Sequence, residues 1–399
     1  MKNTIWKNKR FFFYASGNAI NNLGNNIFMV AMPLFVYDIT QSAISMSIMG
    51  VVEFIPQILL SVIIGAFVDR LSRRTIIFVS LGFQSFCYMV LIFFIGQETA
   101  SVGVIYIIGF LLSIGQSFFR TAQFAVIPAM FKERKAEAMA AISNIYTLTT
   151  LIGPITAGIL LTTLGYGYLF LLSSLTSIFP IVFCIWSKLP HLKQESFRTV
   201  IELLNYSKEG LIFIRGSKRL MLMPLIIGGA ILADGGSMAI ILFHIKNNLH
   251  LSDAFASWML IASGVGAFLV TMFPKKYDSV DKGRNLFIFI LICSIGNSIF
   301  LFPYVWTVPF AMFISTMGRR AFIVTFNVII QEIVPDNLLG RISGTIRSIY
   351  TISYPISFLI LGFVTELFGT TAAFATIVCM SLIPTSIIRF SSIYKYKTQ

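Results

Sequence analysis

The sequence is poor in charged residues and in the side chains that enzymes use for metal or covalent chemistry. Charged residues make up 12% of the 399 residues, whereas a soluble globular domain carries about 25%. The three histidines are scattered, and the four cysteines lie in apolar runs without metal-ligand spacing. Neither GxxxxGK[ST] nor HExxH occurs, so the sequence predicts no ATP-binding loop and no zinc-protease site. We therefore expect no enzymatic activity, no cofactor and no bound metal.

Long apolar runs instead recur along the whole chain, in which 56% of residues are hydrophobic and the mean hydropathy is +0.84. A helix needs about 20 apolar residues to cross a bilayer. The first run follows a basic start but lacks a small-residue cleavage site, so we interpret it as a retained span rather than a signal peptide. The sequence thus predicts an all-α membrane protein with twelve transmembrane helices. They cover about residues 11–37, 44–68, 75–96, 102–131, 137–163, 168–187, 220–245, 254–274, 285–303, 306–334, 341–366 and 371–390.

The net charge of +14 would fit nucleic-acid binding in a soluble protein. In a membrane protein, basic residues instead mark the cytoplasmic loops. With both termini in the cytoplasm, only Lys246 falls on an outer loop, and Arg120, Arg319 and Arg320 fall within spans. The other Lys and Arg residues then lie on the cytoplasmic side. We expect a multi-pass protein of the cell membrane with both termini cytoplasmic, in contact with lipid and not with nucleic acid.

The two halves of the chain repeat one another. The stretch IYTLTTLIGPITAGILLTTLG at residue 145 and the stretch IYTISYPISFLILGFVTELFG at residue 349 share residues at a constant offset of 204, including Gly165 and Gly369. Two related six-helix bundles suggest a transporter that rocks about a central site. The predicted domains are residues 1–187, a cytoplasmic linker with an amphipathic helix at 188–219, and residues 220–399. We expect this protein to act as a monomer.

A short motif follows the second span, with the sequence GAFVDRLSRR at residues 65–74. It resembles the G-x-x-x-D-R-x-G-R-R motif between spans two and three of the major facilitator superfamily, with Ser72 in place of the second glycine. The resemblance implies the major facilitator fold, in which two pseudo-symmetric six-helix bundles form one transporter. The matching positions are Gly65, Asp69, Arg70, Arg73 and Arg74.

Three further motifs resemble the drug:proton antiporter branch of this superfamily, especially its macrolide-efflux proteins. RTAQ at 120–123 is similar to an R-x-x-Q motif in span four, and GPITAG at 153–158 is similar to the G-P-x-x-G-G of antiporters. QEIVPDNLLGRISG at 331–344 resembles the junction of spans ten and eleven in macrolide-efflux proteins. The resemblance implies secondary active export of drugs by proton antiport.

The motif carboxylate Asp69 has two interpretations. It can face the N-terminus of span eleven near Gly340 and Arg341, where an anion stabilises a helix by about 0.3–1 kcal/mol. The resemblance implies that this contact latches the two bundles in the outward-open state. The alternative is a local ion pair between Asp69 and Arg70 or Arg73.

The antiporter-like motif in span five contains Gly153, Pro154 and Gly158. These residues permit close contact between helices and a kink in the span. Ordinary helix packing explains them almost as well, so the direction of transport does not rest on them alone.

Two acids fall inside predicted spans. Glu53 lies near the middle of span two among apolar neighbours, and Asp234 lies in span seven beside Gly235 and Gly236. A charge at the centre of the bilayer costs about 2.5–3.5 kcal/mol on insertion scales, so such residues face a cavity or a partner. We predict that Glu53 and Asp234 couple transport to protons. Glu53 could also bind a cationic substrate or pair permanently with a basic residue.

Other polar residues inside the spans are candidates for the substrate cavity. Arg120 could pair with a carboxylate or bind substrate, and adjacency means that at most one of Arg319 and Arg320 points inward. Some of the asparagines could instead bond to neighbouring helices. The predicted cavity residues are Asn22, Asn25, Asn26, Arg120 and Gln123.

These features together predict an exporter of amphipathic drugs, with macrolides as one candidate, by proton antiport and alternating access. Its partners are a small-molecule substrate, protons and the bilayer. Export of an endogenous metabolite, such as a siderophore or metallophore, is the alternative. A proton-coupled uptake symporter and a transport-dead sensor are further alternatives. The export-branch resemblance and the antiporter-like motif disfavour uptake.

Overall fold

The computed structural model describes residues 5–60, 63–64, 67–68, 71–97, 99–187, 210–272, 280–302, 304–335 and 338–397. All regular elements within these ranges are helices, and the predicted all-α fold is confirmed. In the described part of the chain, seven helical segments are long and apolar enough to cross a membrane. Two of them have 50 residues each, enough for two crossings of about 20 residues.

The described helices account for the twelve predicted spans. Spans 1 to 4 and 8 to 10 are the helices Lys9–Thr40, Ala43–Leu59, Arg73–Gly96, Val102–Met130, Asp253–Met272, Lys282–Ile299 and Thr307–Ile333. Span 7 consists of Lys218–Asp234, Ser237–Phe243 and a π-helical turn, His244–Asn248. Spans 5 and 6 share the helix Lys135–Trp186, and spans 11 and 12 comprise Leu339–Thr351 and Ser353–Phe390. Short 3-10 turns cover Ile5–Lys7 and Lys132–Arg134.

Spans 5 and 6 reverse direction at Gly165, whose φ of 79° and ψ of 178° interrupt the helix. Glycine enters the positive-φ region without the clash that a Cβ would cause. Two contacts with span 1 establish the reversal. Asn26 packs directly on Gly153, and Gly24 packs directly on Thr176. Because these neighbours on span 1 contact residues at similar distances before and after the glycine, the two arms lie side by side.

Spans 11 and 12 are arranged in the same way around Gly369, which has φ 82° and ψ 172°. Here the neighbouring glycines Gly228 and Gly229 of span 7 contact Ser353 before the break and Pro384 after it. The residue that follows each break also has an equivalent role. Tyr166 donates a hydrogen bond to Asp38 at the end of span 1 over 2.6 Å. Thr370 shares a 3.0 Å hydrogen bond with His244 near the end of span 7.

The chain forms two compact units. The first comprises the described residues within 1–40 and 55–203, and the second those within 41–54 and 204–399. Phe11 and Leu81 belong to the buried apolar core of the first unit, and Ile290 and Phe326 to that of the second. Residues 43–54 of the span 2 helix, Glu53 among them, therefore belong to the second unit. The predicted linker lies largely outside the described residues, and the predicted domain boundaries stay a prediction.

Candidate functional site

Glu53 lies on the span 2 helix, three residues before Pro56. Its Oε1 atom is buried and has no hydrogen-bond partner among the described residues. An ionised carboxylate without partners is costly away from water. Either a proton or a positively charged group is therefore expected to neutralise Glu53 when water is excluded.

An aromatic surface begins at the residue next to Glu53. The ring of Phe54 stacks on Tyr354 of span 11, with centroids 4.3 Å apart and an interplanar angle of 7°. Phe358, one turn further along span 11, lies 6.1 Å from Phe54. Gly50 makes this approach possible, because a Cβ at Gly50 would overlap the ring of Phe358. The buried acid thus lies beside flat apolar surface on the second unit.

Asp234 is paired with a cation. Its Oδ2 atom lies 2.8 Å from the guanidinium of Arg319 on span 10. The Asp234 side chain is 14% exposed and that of Arg319 is 46% exposed, so the pair borders open space on the Arg319 side. The single hydroxyl proton of Ser237 is shared between the backbone carbonyl of Asp234 at 2.7 Å and its Oδ1 atom at 3.1 Å. The carboxylate oxygens of Asp234 are therefore both engaged, unlike Oε1 of Glu53.

A helix break carries Asp234 to this position. The first helix of span 7 ends at Asp234, the second begins at Ser237, and Gly235 and Gly236 lie between them. The backbone N–H of Gly236 donates to the hydroxyl of Ser357 over 2.9 Å. Because a Cβ at Gly236 would come within 2.9 Å of the Phe358 backbone, glycine is needed for this close approach.

The same turn of span 11 therefore supports both acid-bearing segments. Tyr354 contacts Phe54 of span 2 by stacking and lies close to Gly235 of span 7. The sequence predicted Asp234 and Glu53 as separate acids. The structure adds Phe54 and Tyr354, which the sequence had not singled out, and pairs Arg319 with Asp234.

Asn25 and Asn26 of span 1 lie in the first unit, and each makes a side-chain hydrogen bond. Asn25 accepts a 3.4 Å hydrogen bond from Gln116 of span 4. Asn26 donates to the backbone carbonyl of Asn22 over 2.7 Å, and its side chain packs against Gly153. Asn25 is therefore oriented by a second helix, and Asn26 contributes mainly to the packing of span 1 on span 5.

The remaining predicted cavity residues lie on the span 4 helix. Arg120 is exposed, whereas Gln123 is buried. The backbone carbonyl of Gln123 accepts a 3.3 Å hydrogen bond from the hydroxyl of Tyr14. A further amide, that of Asn21, is 1% exposed with neither of its polar side-chain atoms bonded to another described residue. The polar load of span 1 was the signal for Asn21, but sequence alone did not separate it from its neighbours.

Much of the predicted latch lies outside the described residues, including Gly65, Asp69 and Arg70. Arg73 begins the span 3 helix. The guanidinium of Arg74 lies 5.3 Å from the centre of the Phe78 ring. On span 11, Gly340 is helical and Arg341 is exposed. The latch stays a prediction.

The predicted packing motif lies on the helix Lys135–Trp186, and Pro154 is inside that helix. Gly153 and Gly158 are both buried. At Gly153 the close contact is with Asn26 of span 1, so this glycine sets the separation of spans 1 and 5.

Twelve helical spans in two repeated sets, with an acid and an ion pair inside them, are features of a polytopic membrane transporter. The sequence model of the Major Facilitator Superfamily matches residues 14–234 and 225–390. The chain belongs to this superfamily. The superfamily and the relatives described below are transporters and not enzymes.

Curated relatives are distant and of full length. The chain is 22% identical over 401 residues to the uncharacterized MFS-type transporter YfiS of Bacillus subtilis, covering 95% of this chain and 93% of the relative. It is 22% identical over 405 residues to macrolide efflux protein A of Streptococcus pyogenes, covering 95% of both chains.

Solved structures share the fold at low identity. The nucleoside transporter NupG aligns with a TM-score of 0.74 and 11% identity, covering 97% of this chain and all of NupG. A bacterial homologue of the iron transporter ferroportin, in an inward-facing state, aligns with a TM-score of 0.72 and 13% identity, covering 95% of this chain and 98% of its own. These structures support the twelve-span fold and no particular substrate.

Proposed function

We propose that this transporter exports amphipathic, drug-like compounds across the cell membrane in exchange for protons. The observation that carries this proposal is Glu53, whose buried Oε1 has no partner among the described residues. A carboxyl group in such a place can be buried when it carries a proton and must meet water or a cation when it does not. Alternating exposure to the two sides would therefore make Glu53 load and release a proton in each cycle.

Asp234 has a second role in this scheme. Its partner Arg319 holds it as an ion pair at 2.8 Å, so it is already neutralised by charge. A proton or a cationic substrate that competes for Asp234 would free Arg319. Glu53 is thus the primary coupling acid, and the pair is a second group through which substrate and proton compete.

The substrate class rests on surface chemistry. The stacked rings of Phe54 and Tyr354 offer flat apolar contact, and Glu53 can attract a basic amine. Within the first unit, the predicted cavity residues Asn22, Asn25, Arg120 and Gln123 stay our proposed polar contacts for substrate, whereas Asn26 packs against Gly153. The likeness to macrolide efflux protein A supports macrolides as the first compounds to test.

The test is transport into inverted membrane vesicles under an imposed pH gradient, with a radiolabelled macrolide as the probe. The wild-type protein should accumulate the macrolide when the vesicle interior is acidic. Glu53→Gln should abolish this uptake at normal expression, whereas Glu53→Asp should retain part of it because the group still titrates. Full activity in Glu53→Gln would remove Glu53 from the mechanism.

The alternative substrate is an endogenous metabolite such as a siderophore or metallophore. It would use the same machinery, so the distinction is in the substrate alone. If the wild-type protein transports none of a panel of amphipathic drugs into inverted vesicles with an acidic interior, exported metabolites are compared in cells with and without the gene. A metabolite exported only when the gene is present would favour the alternative. Proton-driven uptake in right-side-out vesicles would instead contradict export.

We further propose that the protein works as a monomer in the cell membrane, with both termini in the cytoplasm. The support is the distribution of basic residues, of which only Lys246 falls on an outer loop in this orientation. Protease access to a C-terminal tag in intact cells and in inverted vesicles tests the orientation.

A further inference from the structure

Glu366 of span 11 caps the first turn of the span 2 helix. Its Oε2 atom accepts hydrogen bonds from the backbone N–H of Ala43 at 2.9 Å and of Ile44 at 3.2 Å. The hydroxyl of Ser42 donates to the same oxygen at 3.1 Å. The first N–H groups of a helix have no partner within the helix and carry partial positive charge, so a carboxylate is well suited to this position. Here the cap comes from more than 320 positions away along the chain.

Beyond this cap, small residues allow spans 2 and 11 to stay in close contact. Gly362, one turn before Glu366, lies directly against Ser47, and a Cβ at Gly362 would overlap that side chain. Ser47 is completely buried. One turn further, Gly50 approaches the ring of Phe358 in the same way. Spans 2 and 11 are therefore in direct contact from the cap to the aromatic surface beside Glu53.

The cap lies at the end of these spans opposite to the predicted cytoplasmic latch. Glu366 is three residues before Gly369, where span 11 turns into span 12. Gly340 and Arg341, the predicted latch positions on span 11, lie at its beginning. In the proposed orientation of the chain, Glu366 is therefore at the outer surface.

We propose that Glu366 is an outer latch of the transport cycle, which holds the outer ends of spans 2 and 11 together and must release when the pathway opens outward. A carboxylate suits this duty because Glu366 is exposed. On leaving the cap it can be hydrated at once, and water can take its place on the freed N–H groups. The two states of the contact are then close in free energy, as a reversible latch requires. Glu366 is a positioning residue and does not contact the substrate.

The inference rests on the proposed orientation of the chain and not on the proposed substrate or coupling ion. It is tested by the accessibility of Ser47, which the closed contact buries. In a background in which the native cysteines are replaced, Ser47→Cys is treated with a membrane-impermeant maleimide in intact cells and in inverted vesicles. We expect slow labelling with Glu366 intact. Glu366→Ala should raise the labelling rate in intact cells by about fivefold, the effect expected when one helix cap is lost.

The matched control is Asp38→Asn. Asp38 is also an exposed carboxylate near the outer end of a span, but it accepts its 2.6 Å hydrogen bond from Tyr166 within the first unit. The Asp38→Asn substitution should leave the labelling rate of Ser47→Cys unchanged. Glu366→Asp, which keeps the charge on a shorter side chain, should give a rate between those of Glu366 and Glu366→Ala. An increase after Asp38→Asn as well would indicate general loosening and contradict the latch.

A second variant keeps the test decisive if Glu366→Ala does not fold. Glu366→Gln retains an acceptor oxygen but no charge, and should still raise the labelling rate. Unchanged labelling in whichever variant folds would overturn the proposal. An increase seen only in inverted vesicles would overturn the outer placement of Glu366. A failure of drug transport with the expected labelling would count against the proposed substrate and leave the latch standing.

Discussion

The guanidinium of Arg319 and the carboxylate of Asp234 lie 2.8 Å apart, joining span 10 to the broken helix of span 7. Removing one partner leaves a charge without its counterion, which costs more than the pair itself contributes. We expect Arg319→Gln to lower the free energy of unfolding by about 1–3 kcal/mol. The double variant Arg319→Gln, Asp234→Asn should recover much of this loss but not transport. Thermal unfolding in detergent and vesicle transport measure the two effects; equal stability of single and double variants would contradict the pairing.

Gly153 sets the separation of spans 1 and 5. Because a Cβ there would overlap the side chain of Asn26, Gly153→Ala should force the helices apart and destabilise the protein by about 1–3 kcal/mol, as overpacking does. The control is Gly82→Ala, since Gly82 lies within a helix with open space around it. That change should be neutral or stabilising by up to about 1 kcal/mol. If Gly153→Ala and Gly82→Ala have the same midpoint of thermal unfolding, the result would argue against the close contact.

The stack of Tyr354 on Phe54 holds span 11 against the helix that carries Glu53. Tyr354→Ala should remove about 0.5–1.5 kcal/mol of ring interaction and raise the apparent KM for an aromatic or macrolide substrate. Tyr354→Phe keeps the ring and should leave KM close to that of the wild type. A rise in KM with Tyr354→Phe would instead assign the effect to the hydroxyl of Tyr354.

The predicted latch at Asp69 and the proposed latch at Glu366 should act in opposite directions. Asp69→Asn is expected to favour the inward-open state and so to reduce labelling of Ser47→Cys from outside. Combined with Glu366→Ala, it should bring the labelling rate back towards the starting value. If Asp69→Asn leaves labelling and export unchanged, the local ion pair with Arg70 or Arg73 is the better interpretation of the motif.

The fold was predictable because each span carries its own signal. Twenty apolar residues are needed to cross a bilayer wherever the partners lie, so the spans could be counted without knowledge of their contacts. The repeat was equally local. The matching glycines Gly165 and Gly369 both prove to have positive φ, at 79° and 82°, and both separate two spans. Because positive φ favours glycine, these two backbone positions could be recognised from the residue type alone.

The site was only partly predictable because its contacts join distant parts of the chain. The cost of charge in lipid identified Glu53 and Asp234 as residues in need of a partner. The sequence could not identify which of Arg120, Arg319 and Arg320 pairs with an acid, because that pairing depends on which helix faces span 7. The cap by Glu366 had no sequence signal, because a carboxylate near the end of a span is also what an ordinary water-exposed loop would contain.

Two of the turns between consecutive spans consist of a single non-helical residue each. At Gly165 and at Gly369 the chain turns from one span into the next without an intervening loop. In the proposed orientation these turns face the outside, where antibodies and proteases act. Neither offers an extended segment to bind or cut, so we expect the turn after span 7, at residues 249–252, to be a better place for an inserted surface epitope. Because these two turns have no loop, they present little exposed chain to molecules outside the cell.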